Sequence, residues 1–138
     1  MKSVHLVMSA EKDKKMVELS TILYAEAGRG VEFKATTVKK DNSGMRSFNA
    51  VMENNLIKAL RGDNLTITDT DINDYRTLHL PTLVSLEFKD TIYLFIDDIA
   101  INKMMESYNS SVVALGQSLK RLLLTQTTLV NAYQNMLS

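Results

Sequence analysis

The feature that most constrains this chain is an apolar stripe in its last third. From Ile101 onward, side chains of one character recur at alternating steps of four and three: Ile101, Met105, Tyr108, Val112, Leu115, Leu119, Leu122, Gln126, Leu129, Tyr133 and Met136. Gln126 is the single polar member. Such spacing puts the series on one face of an α-helix. At ~1.5 Å per residue an unbroken helix over this span would reach about 54 Å, against a radius of gyration of roughly 14 Å for a compact globule of this length. It would overhang its own domain, and an overhanging apolar stripe needs a partner. Asn109-Ser110-Ser111 offers the alternative, because a serine there can cap a new helix and let both halves fold back on the body. Even then an amphipathic helix of about 27 residues remains, long for a small domain to cover alone.

Leu123, Val130 and Leu137 widen the stripe to three positions per heptad, which suits a bundle better than a two-stranded rope. The flanking Ser111, Ser118 and Thr125 on one side, and Asn109 and Gly116 on the other, carry no charge. Salt bridges would therefore not specify the pairing, while Gly116 and the serines would allow close helix approach. After Arg121 no charged side chain follows, which contact explains better than solvation. Gln126 could fix register through a paired amide. The expectation is a homo-oligomer held together along the eleven stripe residues. The chain then divides into an α+β core, 1–97, and a helical oligomerisation segment, 98–138, within one structural domain.

At 138 residues the chain has the size of one ordinary domain. Val4, Leu6 and Met8 alternate with polar residues, so Ser3 to Met8 reads as a strand. Ser9 is placed to cap a helix from Ala10 to Ala27 with Met16, Leu19, Ile22, Leu23 and Ala27 inward, and Gly28 to end it. Val31, Phe33 and Ala35 alternate with Glu32, Lys34 and Thr36 as in a half-buried strand. Phe48, Val51 or Met52, Leu56 and Leu60 recur at helical spacing before Gly62, giving a second helix over about Asn49 to Arg61. A strand from Leu65 to Thr68 follows, then an acidic polar loop from Asp69 to His79 with room for one helical turn. Leu83 to Phe88 and Thr91 to Ile96, joined through Lys89-Asp90, make the clearest hairpin. The fold class is α+β: a mixed or mainly antiparallel sheet of about five strands with two helices, followed by the long amphipathic helix.

Composition narrows function by exclusion. Sixteen basic and sixteen acidic residues cancel, so no global field draws in nucleic acid or an anionic membrane. Short groups such as Lys12, Lys14 and Lys15 read as solvated surface charge. No cysteine occurs, which removes disulfides, thiolate metal sites and cysteine nucleophiles and fits the cytoplasm. The first ten residues lack a signal-peptide core. The least polar stretch, Leu122 to Leu137, holds too many Thr, Asn and Gln residues to span a bilayer.

Sites for chemistry are few. Asp69-Thr70-Asp71-Ile72-Asn73 begins like a calcium loop, but Asp74 stands where that loop needs glycine and Leu80 where it needs glutamate. The aspartates read as turn formers. The order of Glu53, then Asp69, then Asp97-Asp98 resembles the carboxylate order of ribonuclease H-like nucleases, which implies a two-metal site. Those enzymes also carry an aspartate on the first strand, where Ser3 to Met8 has none; Asp97 and Asp98 are explained by helix capping. His5 and His79 have no nearby partner in sequence, and no phosphate-cradling glycine loop, nucleophile elbow or His-Glu-x-x-His helix is present. Arg29, Arg46 and Arg76, with Tyr75 for stacking, are candidates to line a pocket for an anionic ligand. The first expectation is a non-enzymatic oligomer that binds and modulates another macromolecule, without cofactor or metal. In character it is similar to accessory proteins of phages and mobile elements. A small-ligand or nucleotide-binding oligomer is the alternative, and a carboxylate nuclease the third.

Overall fold

A computed structural model describes residues 2–9, 11–28 and 30–137. Eight strands form one mixed sheet, and four helices pack on it. In chain order the elements are β1 Ser3–Met8, α1 Lys12–Ile22, β2 Glu32–Val38, β3 Met45–Val51, α2 Leu56–Ala59, β4 Leu60–Arg61 and β5 Asn64–Asp69. They continue with β6 Asp74–His79, β7 Leu83–Glu87, β8 Thr91–Ile96, α3 Asp98–Met105 and α4 Ser110–Leu137. The last turn of α1 widens into a π turn, Leu23–Ala27. The order across the sheet is β1-β8-β7-β2-β3-β5-β4, with β6 on β5. Among the described residues only β1 and β8 run parallel, from Ser3 opposite Thr91 to Met8 opposite Ile96; the other pairings are antiparallel.

Side chains alternate across each strand, so the sheet feeds two cores. On one face Phe33, Ala35, Ala50, Ile67, Leu86 and Phe95 are buried with Leu19, Leu23 and Ala27 of the first helix. On the other, Val38, Val84 and Ile96 meet Ile101 and Met104 of α3 and Val112, Leu119 and Leu123 of α4. The expected inward stripe of α1 is present, with Met16 partly buried. The strands at Ser3–Met8, Glu32–Val38 and Asn64–Asp69 and the β7–β8 hairpin lie where the sequence pattern puts them.

Three expectations change. The sheet has eight strands rather than about five. The helix expected over Asn49 to Arg61 is instead β3 followed by a four-residue α2, which Asn55 caps by accepting the Lys58 N–H at 3.0 Å. Phe48, Ala50 and Met52 satisfy a period of two as well as the helical period, and β2 decides between them with a seven-residue antiparallel ladder. The stretch from Asp69 to His79 is a turn and a strand: β6 pairs with β5 along its whole length. Its acidic residues form the turn, where the Asp71 N–H donates to Asp69 Oδ1 at 3.0 Å and Asn73 takes a φ of 53°.

The long stripe is interrupted at the place the sequence offered. Asn109 caps α4, its Oδ1 accepting the Ser111 N–H at 3.0 Å. The 28-residue α4 then crosses back over α3. Gly116 lets them touch, since a Cβ added there would lie 3.0 Å from Met104 Cβ and 3.2 Å from Met105 Cγ. The close approach that Gly116 permits is thus used within the chain itself.

Candidate functional site

The stripe is split between two roles by geometry. Ile101, Val112 and Leu119 are buried in the chain's own second core, and Leu115 is partly buried against it. Met105 and Tyr108 lie exposed at the α3–α4 junction. From Leu122 onward the exposed members are Leu122, Leu129, Tyr133 and Met136, with Gln126 among them. A straight α-helix drifts by about 20° per heptad relative to a 3.5-residue repeat. The seam turns slowly away from the second core, and beyond Leu123 Tyr133 is 60% and Met136 70% exposed. Val130 and Leu137 flank this exposed stripe.

The threonine hydroxyls of this segment are already satisfied along the helix. The hydroxyls of Thr125, Thr127 and Thr128 donate to the carbonyls of Arg121, Leu123 and Leu124 at 2.9, 3.1 and 2.9 Å. That local bonding lowers the cost of taking them out of water. Among the described residues, no helix is long and apolar enough to cross a membrane.

A second site is a cleft of about 320 Å³ between the turn of the β2–β3 hairpin and the end of β6. Arg46 and Arg76, both singled out by sequence, do come together: their guanidinium carbons lie 5.7 and 4.9 Å from the centre of the Phe48 ring. Arg76 is ion-paired with the buried Asp69, and that hydrogen bond holds the Asp69 carboxyl below its usual range. Arg46 lines the cleft with Lys39, Lys40 and His79. Tyr75 faces the other side of the sheet from Arg76, as adjacent residues of a strand must. Arg29 lies outside the described residues.

One wall of the cleft is anchored from the helices. Lys103 Nζ donates to the Lys40 carbonyl at 3.2 Å and to Asn42 Oδ1 at 2.7 Å. The Ser107 hydroxyl and the Tyr108 N–H both donate to the Asn42 carbonyl, at 2.9 and 2.6 Å. Asn42 has a φ of 64° and Gly44 one of 148°, so the turn is fixed in a conformation few residues adopt freely.

Sequence reasoning missed one group. Lys15, read as surface charge, is 0% exposed, and its ammonium lies 2.9 Å from Asp97 Oδ1. It also donates to the carbonyls of Pro81 at 2.7 Å and Leu83 at 2.8 Å. Asp97 caps α3 as expected, its Oδ2 accepting the Ala100 N–H at 3.1 Å. Burial pulls the Lys15 ammonium below its ordinary value and pushes the Asp97 carboxyl up, each opposed by the other's charge. The pair ties the start of α1 to the start of α3 at the carboxyl ends of the parallel strands β1 and β8. Two carbonyls take hydrogen bonds from the ammonium and Asp97 Oδ1 stands beside it as counter-ion, although that oxygen accepts no well-aligned hydrogen bond. The missed signal is positional: Lys15 precedes Leu19 by four residues and so falls on the inward stripe of α1.

Asp69 and Asp97 are thus engaged by Arg76 and Lys15, and among the described residues no three acidic or histidine side chains group as metal ligands. Comparison with protein-family models, with curated proteins and with solved structures gave no match.

Proposed function

We propose that this protein is a non-enzymatic homo-oligomer assembled through α4, and that the assembly acts by binding and modulating another macromolecule. The observation that carries the reading is the exposed stripe of Leu122, Leu129, Val130, Tyr133, Met136 and Leu137 on a helix without charge after Arg121. A second copy is the occupant that fits it. Identical uncharged helices meet no like-charge repulsion, and Gln126 in the middle can pair with its own copy. If each of the six side chains withdraws about 100 Å² from water, ~600 Å² of apolar area per protomer is covered. With backbone and polar atoms added, that approaches the roughly 800 Å² per partner of a standard interface.

Sedimentation equilibrium at micromolar concentration tests the reading. The expected result is a dimer or larger, reduced to a folded monomer by Leu129→Asp, because a carboxylate in the covered stripe would be desolvated and unpaired. A monomeric wild-type protein would refute it. Leu119→Asp is not an equivalent test, since Leu119 belongs to the protomer's own core.

A further inference from the structure

The cleft between the β2–β3 turn and β6 concentrates charge in a chain whose formal net charge is zero. Lys39, Lys40 and Arg46 line it, and among the described residues none of the three forms an ion pair. The single acid on the rim, Asp41, is turned to its own loop: its Oδ1 accepts the Ser43 N–H at 3.0 Å and the Ser43 hydroxyl at 2.6 Å. Arg46 lies against the Phe48 ring, a contact that limits the freedom of a guanidinium. Thr37 stands opposite Arg46 in the β2–β3 ladder and lines the same space, and among the described residues its hydroxyl has no hydrogen-bond partner. His79, on the rim, is held below the ordinary imidazole value by burial first and then by Lys40, Lys12 and Lys15, with Asp63 acting against them.

We propose that this cleft is a binding site for a small phosphorylated ligand, with the phosphate held by Lys39, Lys40 and Arg46 and by the hydroxyl of Thr37. Three cations outside any ion pair, of which Lys39 also faces the charge of Asp41, and one hydroxyl donor match a dianion with several acceptor oxygens, the case where point charges and a forked guanidinium act together. A cleft of about 320 Å³ sits at the small end of ligand pockets and admits a phosphate ester up to about the size of a mononucleotide. The anchoring of the β2–β3 turn by Lys103 and Ser107 keeps Lys39 and Lys40 in place before the ligand arrives. The site goes beyond assembly through α4 and stands or falls independently of it.

Isothermal titration calorimetry with pyrophosphate, adenosine 5′-monophosphate, adenosine and a short single-stranded oligonucleotide tests it on the full chain. Expected is saturable binding of a phosphate-bearing probe, one per protomer, and none of adenosine. Tighter binding of the monophosphate than of pyrophosphate assigns a nucleotide; the reverse assigns a free phosphate group. Arg46→Gln and the double variant Lys39→Gln/Lys40→Gln should each weaken binding about tenfold or more. Arg46→Lys should recover part of the loss. The exposed pair Lys14→Gln/Lys120→Gln removes equal charge elsewhere and should change nothing. Circular dichroism checks that each variant folds, and the two cleft variants are independent of one another. No saturable binding below about 10 mM, equal weakening by the remote pair, or tighter binding of the oligonucleotide than of either phosphate probe would overturn the proposal.

Discussion

Replacing Lys15 by methionine tests the buried ion pair. Methionine keeps most of the side chain's length and volume, so no large cavity opens, and the change isolates the ammonium. Asp97, 2% exposed, would retain the N–H of Ala100 but lose its counter-ion. Breaking a buried pair from one side costs about 3–5 kcal/mol. The Pro81 and Leu83 carbonyls lose their donor as well, at roughly 1–3 kcal/mol for each acceptor that water cannot reach. These penalties overlap, and a total near 5 kcal/mol is expected, a large part of the 5–15 kcal/mol that holds a domain together. Urea unfolding followed by circular dichroism measures it. Asp97→Ser keeps a capping oxygen and removes the other charge. The double variant should therefore be more stable than the sum of the single losses predicts, by about 2 kcal/mol or more. A Lys15→Met protein within about 1 kcal/mol of wild type, or strictly additive single effects, would refute the assigned role.

Gly116→Val should lower the urea midpoint by an amount equivalent to about 1–3 kcal/mol, because its side chain meets Met104 and Met105 of α3; an unchanged midpoint would mean that α3 and α4 yield freely. The depressed imidazole of His79 makes the unfolded state bind more protons between the folded value and 6.5. Stability should consequently fall as pH drops through that window, and His79→Gln should flatten that part of a pH series of urea midpoints. Removing Leu129 to Ser138 should leave a folded monomer, since the last core residue of α4 is Leu123. Its urea-derived stability should lie within about 1 kcal/mol of the monomeric Leu129→Asp protein. A molten product would place the exposed turns inside the protomer's fold.

The local parts of the fold are legible in the sequence and the non-local parts are not. The β7–β8 hairpin carries its alternation and its turn in one short stretch, and α1 carries a stripe of its own. β3 could not be separated from a helix, because its identity depends on β2 beside it. β6 hides for another reason: at the edge of the sheet only Leu78 of its six residues is buried, so little hydrophobic period marks it. Lys15 shows how a charge on an inward position is misread when its partner, Asp97, stands far along the chain. Of the proposed ligand residues, Arg46 and Arg76 share Phe48, whereas strand parity puts Tyr75 on the opposite face. Lys39 and Lys40 looked like ordinary surface charge, and only the packing of the hairpin turn beside β6 turns them toward a cleft.

The proposed association can be measured directly, because the chain contains no cysteine and Gln126→Cys supplies a single position for a spin label. Packed helices lie about 8–10 Å apart between axes. Association through α4 therefore predicts a narrow intermolecular distance between labels in double electron–electron resonance, on the order of 30 Å or less once label reach is added to that spacing. A control label at Lys14→Cys, on the far side of the sheet from α4, should give longer or broader distances. An oligomer in which the Gln126→Cys labels show no intermolecular coupling would contradict assembly through the exposed stripe of α4.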